Sequence, residues 1–223
     1  MRTLGFQAHY WMHHNQQRIT GNHNQISFET HSYLPSLQQV KFEIEGDHNT
    51  IVIAAGARLS QTQFLIQGSH NRIVIGSDCT INRSCLWIQD DRAQIHVGEK
   101  TTIAAAHIGV ADPDGCITIG ADCMLSHGIE IRCGDSHVVL DLTTGQRLNQ
   151  AHYVTIKPHV WLGMHMRMLK DLAIGTHSVV AAGAIVTKSI SSHSLAAGIP
   201  VQARRENITW ICAKATSSND FTH

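Results

Sequence analysis

One histidine, at the start of a long irregular segment, is the residue best placed to do acid–base chemistry. His137 comes two residues after Asp135 and four before Asp141. An imidazole titrates near neutral pH, so it can take a proton from a hydroxyl group, and a nearby carboxylate can fix its tautomer. His137 is therefore a candidate for acid–base chemistry. Because the chain holds 17 histidines, a solvent-exposed turn histidine like His48 or His70 is the competing interpretation.

Cysteines and histidines also raise the question of a metal site. No two of the six cysteines have the two to four intervening residues typical of zinc sites. Gly46-Asp47-His48-Asn49 has counterparts at residues 68–71 and 134–137 and an out-of-phase copy at 21–24. Glycine and asparagine there suit left-handed turns and side-chain ladders. We therefore expect no metal, and we expect the cysteines to be small buried side chains rather than a disulfide framework.

The elements that must position these residues are indicated by a strict repeat. Ile53, Ile75, Val97 and Ile119 recur at one constant interval, the long period. Within these segments a step of six also appears, and its third positions are Leu65, Trp87, Gly109 and Ile131. Later the step of six continues without insertion through Ile156, Leu162, Met168, Ile174, Val180 and Val186. This pattern fits no α-helix and predicts an all-β fold, a three-sided parallel β-helix in which short strands stack around an aliphatic core.

The repeat is interrupted by an excursion loop over residues 138–155. Long loops on a rigid scaffold are usually functional, so we expect this loop to form a pocket beside His137. The candidates for substrate contact are Asp135, Asp141, Arg147 and Asn149.

Three regions follow from the pattern. Residues 43–201 are predicted to form the β-helix domain, and residues 1–42 to form irregular coils that cap the open end of its core. Residues 202–223 are predicted to form a short C-terminal helix and a mobile tail.

Several ordered motifs resemble those of the left-handed β-helix acyltransferases with hexapeptide repeats. They are Asp135-Ser136-His137, Arg147-Leu148-Asn149, His159-Val160-Trp161-Leu162-Gly163, Leu169-Lys170-Asp171, residues 179–188 and Ala197-Gly198-Ile199-Pro200. Within that family, residues 122–128, residues 130–132 and Asn207-Ile208-Thr209-Trp210 are most similar to bacterial capsular polysaccharide O-acetyltransferases, including the polysialic acid enzymes. The resemblance covers roughly residues 46–210 and supplies the left-handedness, since the spacing alone also allows a right-handed β-helix.

This resemblance implies an acetyl-CoA-dependent O-acetyltransferase that acts on a sugar hydroxyl of a bacterial surface polysaccharide, such as a capsule or O-antigen. It implies a homotrimer with acetyl-CoA between neighbouring subunits. His137 then matches the general base. Trp161 matches a tryptophan that lines the site, although an aromatic that only shields a subunit seam is the alternative.

Contacts to coenzyme A are expected from small and basic residues. Lys170 and Lys188 are separated by three steps of six, hence on one corner of successive coils, where they could bind phosphates, although two solvated lysines are the simpler interpretation. The remaining candidates are Trp161, Gly163, Ala181, Ala182 and Arg204.

Other functions are known on β-helices of this kind. A small-molecule O-acetyltransferase, acting on an antibiotic or a free sugar, is the main alternative. A γ-type carbonic anhydrase needs two histidines five residues apart, and only His9 and His14 show that spacing, before the repeat begins. A non-enzymatic solenoid would need rows of one residue type, which the sequence lacks.

Composition excludes other partners. Lysine and arginine number 17, and aspartate and glutamate also 17, so no basic excess points to nucleic acid. Hydrophobic residues make up 43% and charged residues 15%, yet no unbroken apolar run of ~18 residues predicts membrane insertion. Residues 1–15 lack the apolar core of a secretion signal. We expect a cytoplasmic protein, at most peripheral to polysaccharide synthesis at the inner membrane.

Overall fold

The computed structural model describes residues 14–29 and 33–212 and shows a three-sided parallel β-helix. Each coil of chain runs along a first, a second and a third face and then begins the next coil. The strands of each face pair in parallel with those of the coils before and after, so three sheets enclose one core.

The first face contains β1 (Gln16–Thr20), β4 (Lys41–Glu45), β7 (Gln63–Gln67), β10 (Cys85–Gln89), the second halves of β12 (Thr102–Val110) and β14 (Met124–Cys133), β17 (Arg167–Met168) and β20 (Ile185–Val186). The second face contains β2 (Gln25–Phe28), β5 (Thr50–Ile53), β8 (Arg72–Ile75), β11 (Gln94–Val97), β13 (Cys116–Ile119), β15 (Tyr153–Ile156) and β18 (Leu172–Ile174). The third face contains β3 (Ser36–Gln38), β6 (Arg58–Ser60), β9 (Thr80–Asn82), the first halves of β12 and β14, β16 (Trp161–Leu162), β19 (Val179–Val180) and β21 (Leu195–Ala197), with β22 (Gln202–Arg205) antiparallel to β21.

Columns of β-branched side chains hold the coils together. Ile53, Ile75, Val97 and Ile119 are direct register partners on the second face, which confirms the long period. In the later coils Ile156 pairs with Ile174, three steps of six further along the chain. These side chains are buried, because each short strand turns one face of its pleat to the axis, where branched aliphatics pack closely.

The first corner, between the first and second faces, is built from backbone turns and an asparagine ladder. The buried Asn71 receives a hydrogen bond from the backbone N–H of Ala93 and donates one to the backbone oxygen of Asp90. Gly46 lies at φ +119°, and a Cβ atom there would meet the oxygen of Gly68 at 2.0 Å, so only glycine fits. The ladder interpretation of this corner is therefore confirmed.

Histidines from successive coils form a column at each of two corners. His23, His48 and His70 stack at the first corner, with ring centroids 4.8 and 4.9 Å apart. At the second corner, between the second and third faces, His177 stacks on His193 at 4.9 Å, while the His159 ring lies 4.7 Å from that of His177 and is tilted by 49° to it. All six lie at φ between 57° and 61°.

The prediction that the third positions of the earlier step of six point into the core is mostly wrong. Leu65 and Trp87 point outward and Gly109 lies beneath the Trp87 ring, while Phe64, Ile66, Leu86 and Ile88 fill the core. The reason is that β7 and β10 on the first face are five residues long, with two inward side chains flanking a central outward one. The predicted inward position of Ile131 is correct.

The ends of the β-helix also differ from expectation. β1 already pairs with β4 over five residues, so regular coils begin at Gln16, well before residue 43. The predicted C-terminal helix is wrong for the described residues, because residues 202–205 pair antiparallel with β21 and satisfy its open edge. The predicted tail, residues 214–223, and the first 13 residues of the predicted cap lie outside the described residues.

All six cysteines are free, and five of them are buried or partly buried. Burial raises the pKa of Cys79, Cys85 and Cys123 to about 11 and that of Cys133 to about 12. Cys116 is partly buried, whereas Cys212 is exposed, contrary to the expectation that all are buried.

Candidate active site

The loop leaves the β-helix at the first corner. Ser136 occupies the turn position held by His70, Arg92 and Asp114 in earlier coils, with the same left-handed backbone. β14 ends at Cys133 and β15 begins at Tyr153, so the excursion runs over residues 134–152 rather than 138–155. Within it, the backbone N–H of Leu148 bonds to the oxygen of Val139, and residues 138–148 form a hairpin (the loop hairpin).

A buried carboxylate anchors the returning arm of this hairpin. Asp112 is 2% exposed and accepts hydrogen bonds from the Arg147 guanidinium and from the backbone N–H of Ala151 at 2.8 Å. Arg147 Nε also donates to Asn149 Oδ1 at 3.3 Å. Arg147 is thereby committed to holding the loop.

A second anchor ties the two ends of the loop together. Asn149, 9% exposed, donates to the backbone oxygen of His137 at 2.7 Å and to the carboxylate of Asp135 at 2.9 Å. Lys170 donates to the same carboxylate and to the backbone oxygen of Asn149 at 2.8 Å. The Lys170 ammonium, with help from Asn149, holds the pKa of Asp135 below its usual range.

The His137 imidazole is exposed and has no hydrogen-bond partner in the part of the chain that the structure describes. The predicted carboxylate partners are wrong for this conformation, because both are engaged elsewhere. Asp135 binds Lys170, and Asp141 accepts hydrogen bonds from the backbone and hydroxyl of Thr144 and the backbone of Thr143. Those donors lower the pKa of Asp141. What the loop fixes is the backbone of His137, through Asn149.

Trp161 lies elsewhere, at the start of the third face. It is 37% exposed, and its ring centroid is 6.1 Å from that of Trp210. Trp210 is itself nearly buried, stacked on His159 at 4.5 Å. Because the second face lies between the first corner and Trp161, a single chain does not bring Trp161 and His137 together.

Of the remaining residues predicted to contact coenzyme A, some are exposed and others are already engaged in contacts within the chain. Lys188, Ala182 and Arg204 are exposed, and Ala181 is partly so. Gly163 is buried, and a Cβ atom there would meet the Ala182 nitrogen at 2.6 Å, so stacking of coils already explains this glycine. Lys170 and Lys188 each lie two residues after a member of the Met168–Val186 register pair, so the two lysines share a corner as predicted. Lys170, however, is bound to Asp135.

The hairpin carries an apolar surface. Its exposed side chains are Val138, Val139, Leu140, Leu142 and Leu148. Leu142 at the tip is fully exposed, and contiguous exposed apolar side chains are typical of interaction surfaces.

Among residues 14–29 and 33–212, no cluster of three or more histidine, cysteine, aspartate or glutamate side chains could hold a metal ion. The carbonic anhydrase interpretation depends on His9 and His14, and His9 lies outside the described residues. In the same ranges there is no helix long and apolar enough to cross a membrane.

Comparison with solved structures gives the class first. The fold is a left-handed parallel β-helix, shared with two solved structures of acetyltransferases. The crystal structure of the polysialic acid O-acetyltransferase OatWY matches with a TM-score of 0.84 at 27% identity, over 92% of this chain and 94% of that one. That of the polysialic acid-specific acetyltransferase NeuO matches with a TM-score of 0.81 at 24% identity, over 92% and 91%, and this second match speaks for the fold alone.

Sequence comparison points to the same group of proteins. A polysialic acid O-acetyltransferase of Escherichia coli O1:K1 is 32% identical over 94 residues, which are 42% of this chain and 31% of the relative. One of Neisseria meningitidis is 50% identical over 56 residues, which are 25% of this chain and 26% of the relative. The chain thus aligns with about a third or less of the length of these relatives. No protein-family model matches. The motif resemblance to left-handed β-helix acetyltransferases is confirmed.

Sequence reasoning missed the roles of four residues that shape the site. Asp112 is unremarkable in sequence, and Asp122, His159 and Trp210 stand out only as parts of motifs. A signal existed for the histidine column, because His159 and His177 are separated by three steps of six in the same uninterrupted repeat as Lys170 and Lys188.

Proposed function

We propose that this protein transfers the acetyl group of acetyl-CoA to a hydroxyl of a bacterial surface polysaccharide, with a sialic acid-containing polymer as the first acceptor to test. The observation that carries the proposal is the free imidazole of His137, held at the root of an anchored loop in a chain that matches a polysialic acid O-acetyltransferase over nine-tenths of its length.

The chemistry at His137 is proton removal. Its imidazole takes the proton of the sugar hydroxyl, that oxygen bonds to the thioester carbonyl carbon, and the carbon–sulfur bond breaks. The proton then passes to the departing thiolate, which leaves as a thiol. Backbone N–H groups steady the negative oxygen, and general base catalysis of this kind contributes about 10²–10⁴ in rate.

We propose that a site containing both His137 and Trp161 forms between two copies of the chain, in a homotrimer. Two observations support this. The two residues lie on either side of the second face, whose four-residue strand spans about 13 Å. The loop hairpin presents Val138, Leu140 and Leu142 to solvent, and a neighbouring copy is the surface that would bury them.

The donor fits the third face of the later coils. Trp161 offers an exposed aromatic surface for the acetyl or pantetheine arm, and Ala182 leaves the adjacent corner free of bulk. Exposed Lys188 and Arg204 are the basic groups available to phosphates, with Ala181 alongside. Lys170 acts instead as a loop anchor, and Asp135, Asp141, Arg147 and Asn149 shape the acceptor side by fixing the loop.

The test is release of thiol from acetyl-CoA by the purified protein across bacterial polysaccharides and free sugars. We expect release that depends on a polymer containing sialic acid and that is lost in His137→Ala. His70→Asn, a turn histidine with a left-handed backbone, is the matched control and should retain activity. Release with free sugars alone would favour a small-molecule acceptor. Absence of both release and coenzyme A binding would overturn the proposal.

A further inference from the structure

A short strap after the last strand is docked along the second histidine column. Residues 206–210 (the strap) run beside His193, His177 and His159 in that order. The backbone N–H of Ile208 bonds to the oxygen of His193 at 3.0 Å, and Thr209 Oγ1 lies 3.1 Å from His177 Nδ1. The strap ends with Trp210, whose indole donates to the backbone oxygen of His159 at 3.0 Å.

His159 uses both ring nitrogens, one toward the strap and one toward the preceding coil. Nε2 lies 2.9 Å from the backbone oxygen of Trp210, and Nδ1 lies 2.7 Å from the carboxylate of Asp122, one coil earlier. A carbonyl oxygen and a carboxylate accept hydrogen bonds and donate none, so both ring nitrogens must carry a hydrogen. This geometry is complete only when the imidazole is positively charged.

The neighbours are consistent with a charge at this position. The titratable groups that face His159 are Asp122, on the preceding coil, and His177 and His193 above it. Burial lowers the pKa of His177, and repulsion from His159 and His193 lowers it further, while Asp122 raises it. A neutral His177 can lie against a charged His159 without repelling it.

We propose that the charged His159 is a positioning residue that holds Trp210 in place and thereby fixes the orientation of Trp161. Trp210 and Trp161 are in a tilted arrangement, with centroids 6.1 Å apart and planes at 51°, as in an edge-to-face aromatic pair. Trp161 reaches the surface, and Trp210 is the nearly buried ring behind it. The inference rests on the proposed role of Trp161 in binding the acetyl donor.

Asp122→Asn provides a sharp test. An asparagine amide can donate to Nδ1 of a neutral imidazole, so the contact to Trp210 survives without the charge. Asn also tolerates the left-handed backbone of Asp122, φ 55°. Asp78→Asn is the matched control, because Asp78 holds the equivalent corner two coils earlier at φ 56° and its backbone forms no hydrogen bond with the strap among the described residues.

The first readout needs no activity. In protein labelled with ¹⁵N at histidine and tryptophan, and assigned with His159→Gln and Trp161→Phe, we expect the His159 signals of an imidazolium. The indole signals of Trp161 and Trp210 should shift together when raising the pH removes that charge. Asp122→Asn should leave the indole signals constant with pH, and Asp78→Asn should behave as wild type. A neutral His159 throughout, with the strap still docked, would overturn the proposal.

The second readout is the dissociation constant for coenzyme A over the same pH titration. In the wild type we expect it to rise about fivefold as the pH increases, the effect of losing one modest hydrogen bond. It should stay flat in Asp122→Asn. Identical pH profiles in both proteins would overturn the positioning role. Failure of the wild type to bind coenzyme A at any pH would instead refute the proposed function, and the nitrogen signals would still decide whether His159 is a charged clamp.

Discussion

The two histidine columns share the same left-handed backbone at each turn and differ in what surrounds the rings. At the first corner, the side chains of His23, His48 and His70 stack only on one another in the part of the chain that the structure describes. At the second corner, His159 and His177 are partly buried beneath the strap. Backbone conformation explains why histidine is tolerated at these turns, and it explains nothing about function. A histidine gains a role where another segment of chain supplies a partner.

His137 stands between these two cases. It follows the turn position of the first corner, yet the chain leaves the repeat there and the loop hairpin begins. The predictions below separate the turn histidines from the working residues at each corner, from the largest expected effect to the smallest.

The largest effect is expected at His137. His137→Ala should lower kcat for acetyl transfer about 10²–10⁴-fold, because the general base is removed. The melting temperature should stay within about 2 °C, since an exposed side chain contributes little packing. Steady-state kinetics and thermal melts of His137→Ala and His70→Asn together check this. A similar loss in His70→Asn would mean that the first corner matters for folding or assembly, and that His137 has no special role.

The carboxylates of the first corner give the next contrast. Asp112→Ala should lower the free energy of unfolding by about 3 kcal/mol. It leaves the Arg147 guanidinium and the buried N–H of Ala151 without their hydrogen-bond acceptor. Asp114→Asn keeps a residue that tolerates the left-handed backbone at φ 60°, removes only the charge of the exposed pair with Arg92, and should leave the denaturation midpoint unchanged. Urea denaturation of both variants compares them. Equal midpoints would show that the Asp112 anchor contributes nothing to stability.

How much of this arrangement the sequence could predict depends on the range of the contact. The long period, the step of six, the aliphatic columns and the asparagine turns follow from local spacing, because stacked coils repeat their neighbours' environment. A step of six wrongly places Trp87 inward, because it ignores the pleat of a five-residue strand. The bonds from Lys170 to Asp135 and from His159 to Trp210 join residues 35 and 51 positions apart, outside any repeat. No spacing rule contains them.

At the second corner, Trp161→Ala should raise the KM for acetyl-CoA about tenfold, because an exposed aromatic surface for the donor is removed. Trp161→Phe should recover most of that loss, since a smaller ring still packs against Trp210. Varying acetyl-CoA at saturating acceptor measures the effect. An unchanged KM in Trp161→Ala would mean that Trp161 only packs against its neighbours. The positioning of Trp161 by His159 would then have no effect on donor binding.

The smallest effect concerns the ion pair between Lys170 and Asp135, which holds the two ends of the loop together. Since the Lys170 ammonium lowers the pKa of Asp135, the ionised carboxylate stabilises the folded loop at neutral pH, and this contribution is lost as the pH falls through the lowered pKa. In Lys170→Met the Asp135 carboxyl should titrate closer to its usual range. Lys188→Met, at the same corner one coil later, should leave that titration unchanged. Carbon-13 NMR of the aspartate carboxyl groups follows it directly. If Lys188→Met moved the titration as far as Lys170→Met, the two lysines would act as one diffuse positive patch, and Lys170 would return to the candidates for binding phosphate.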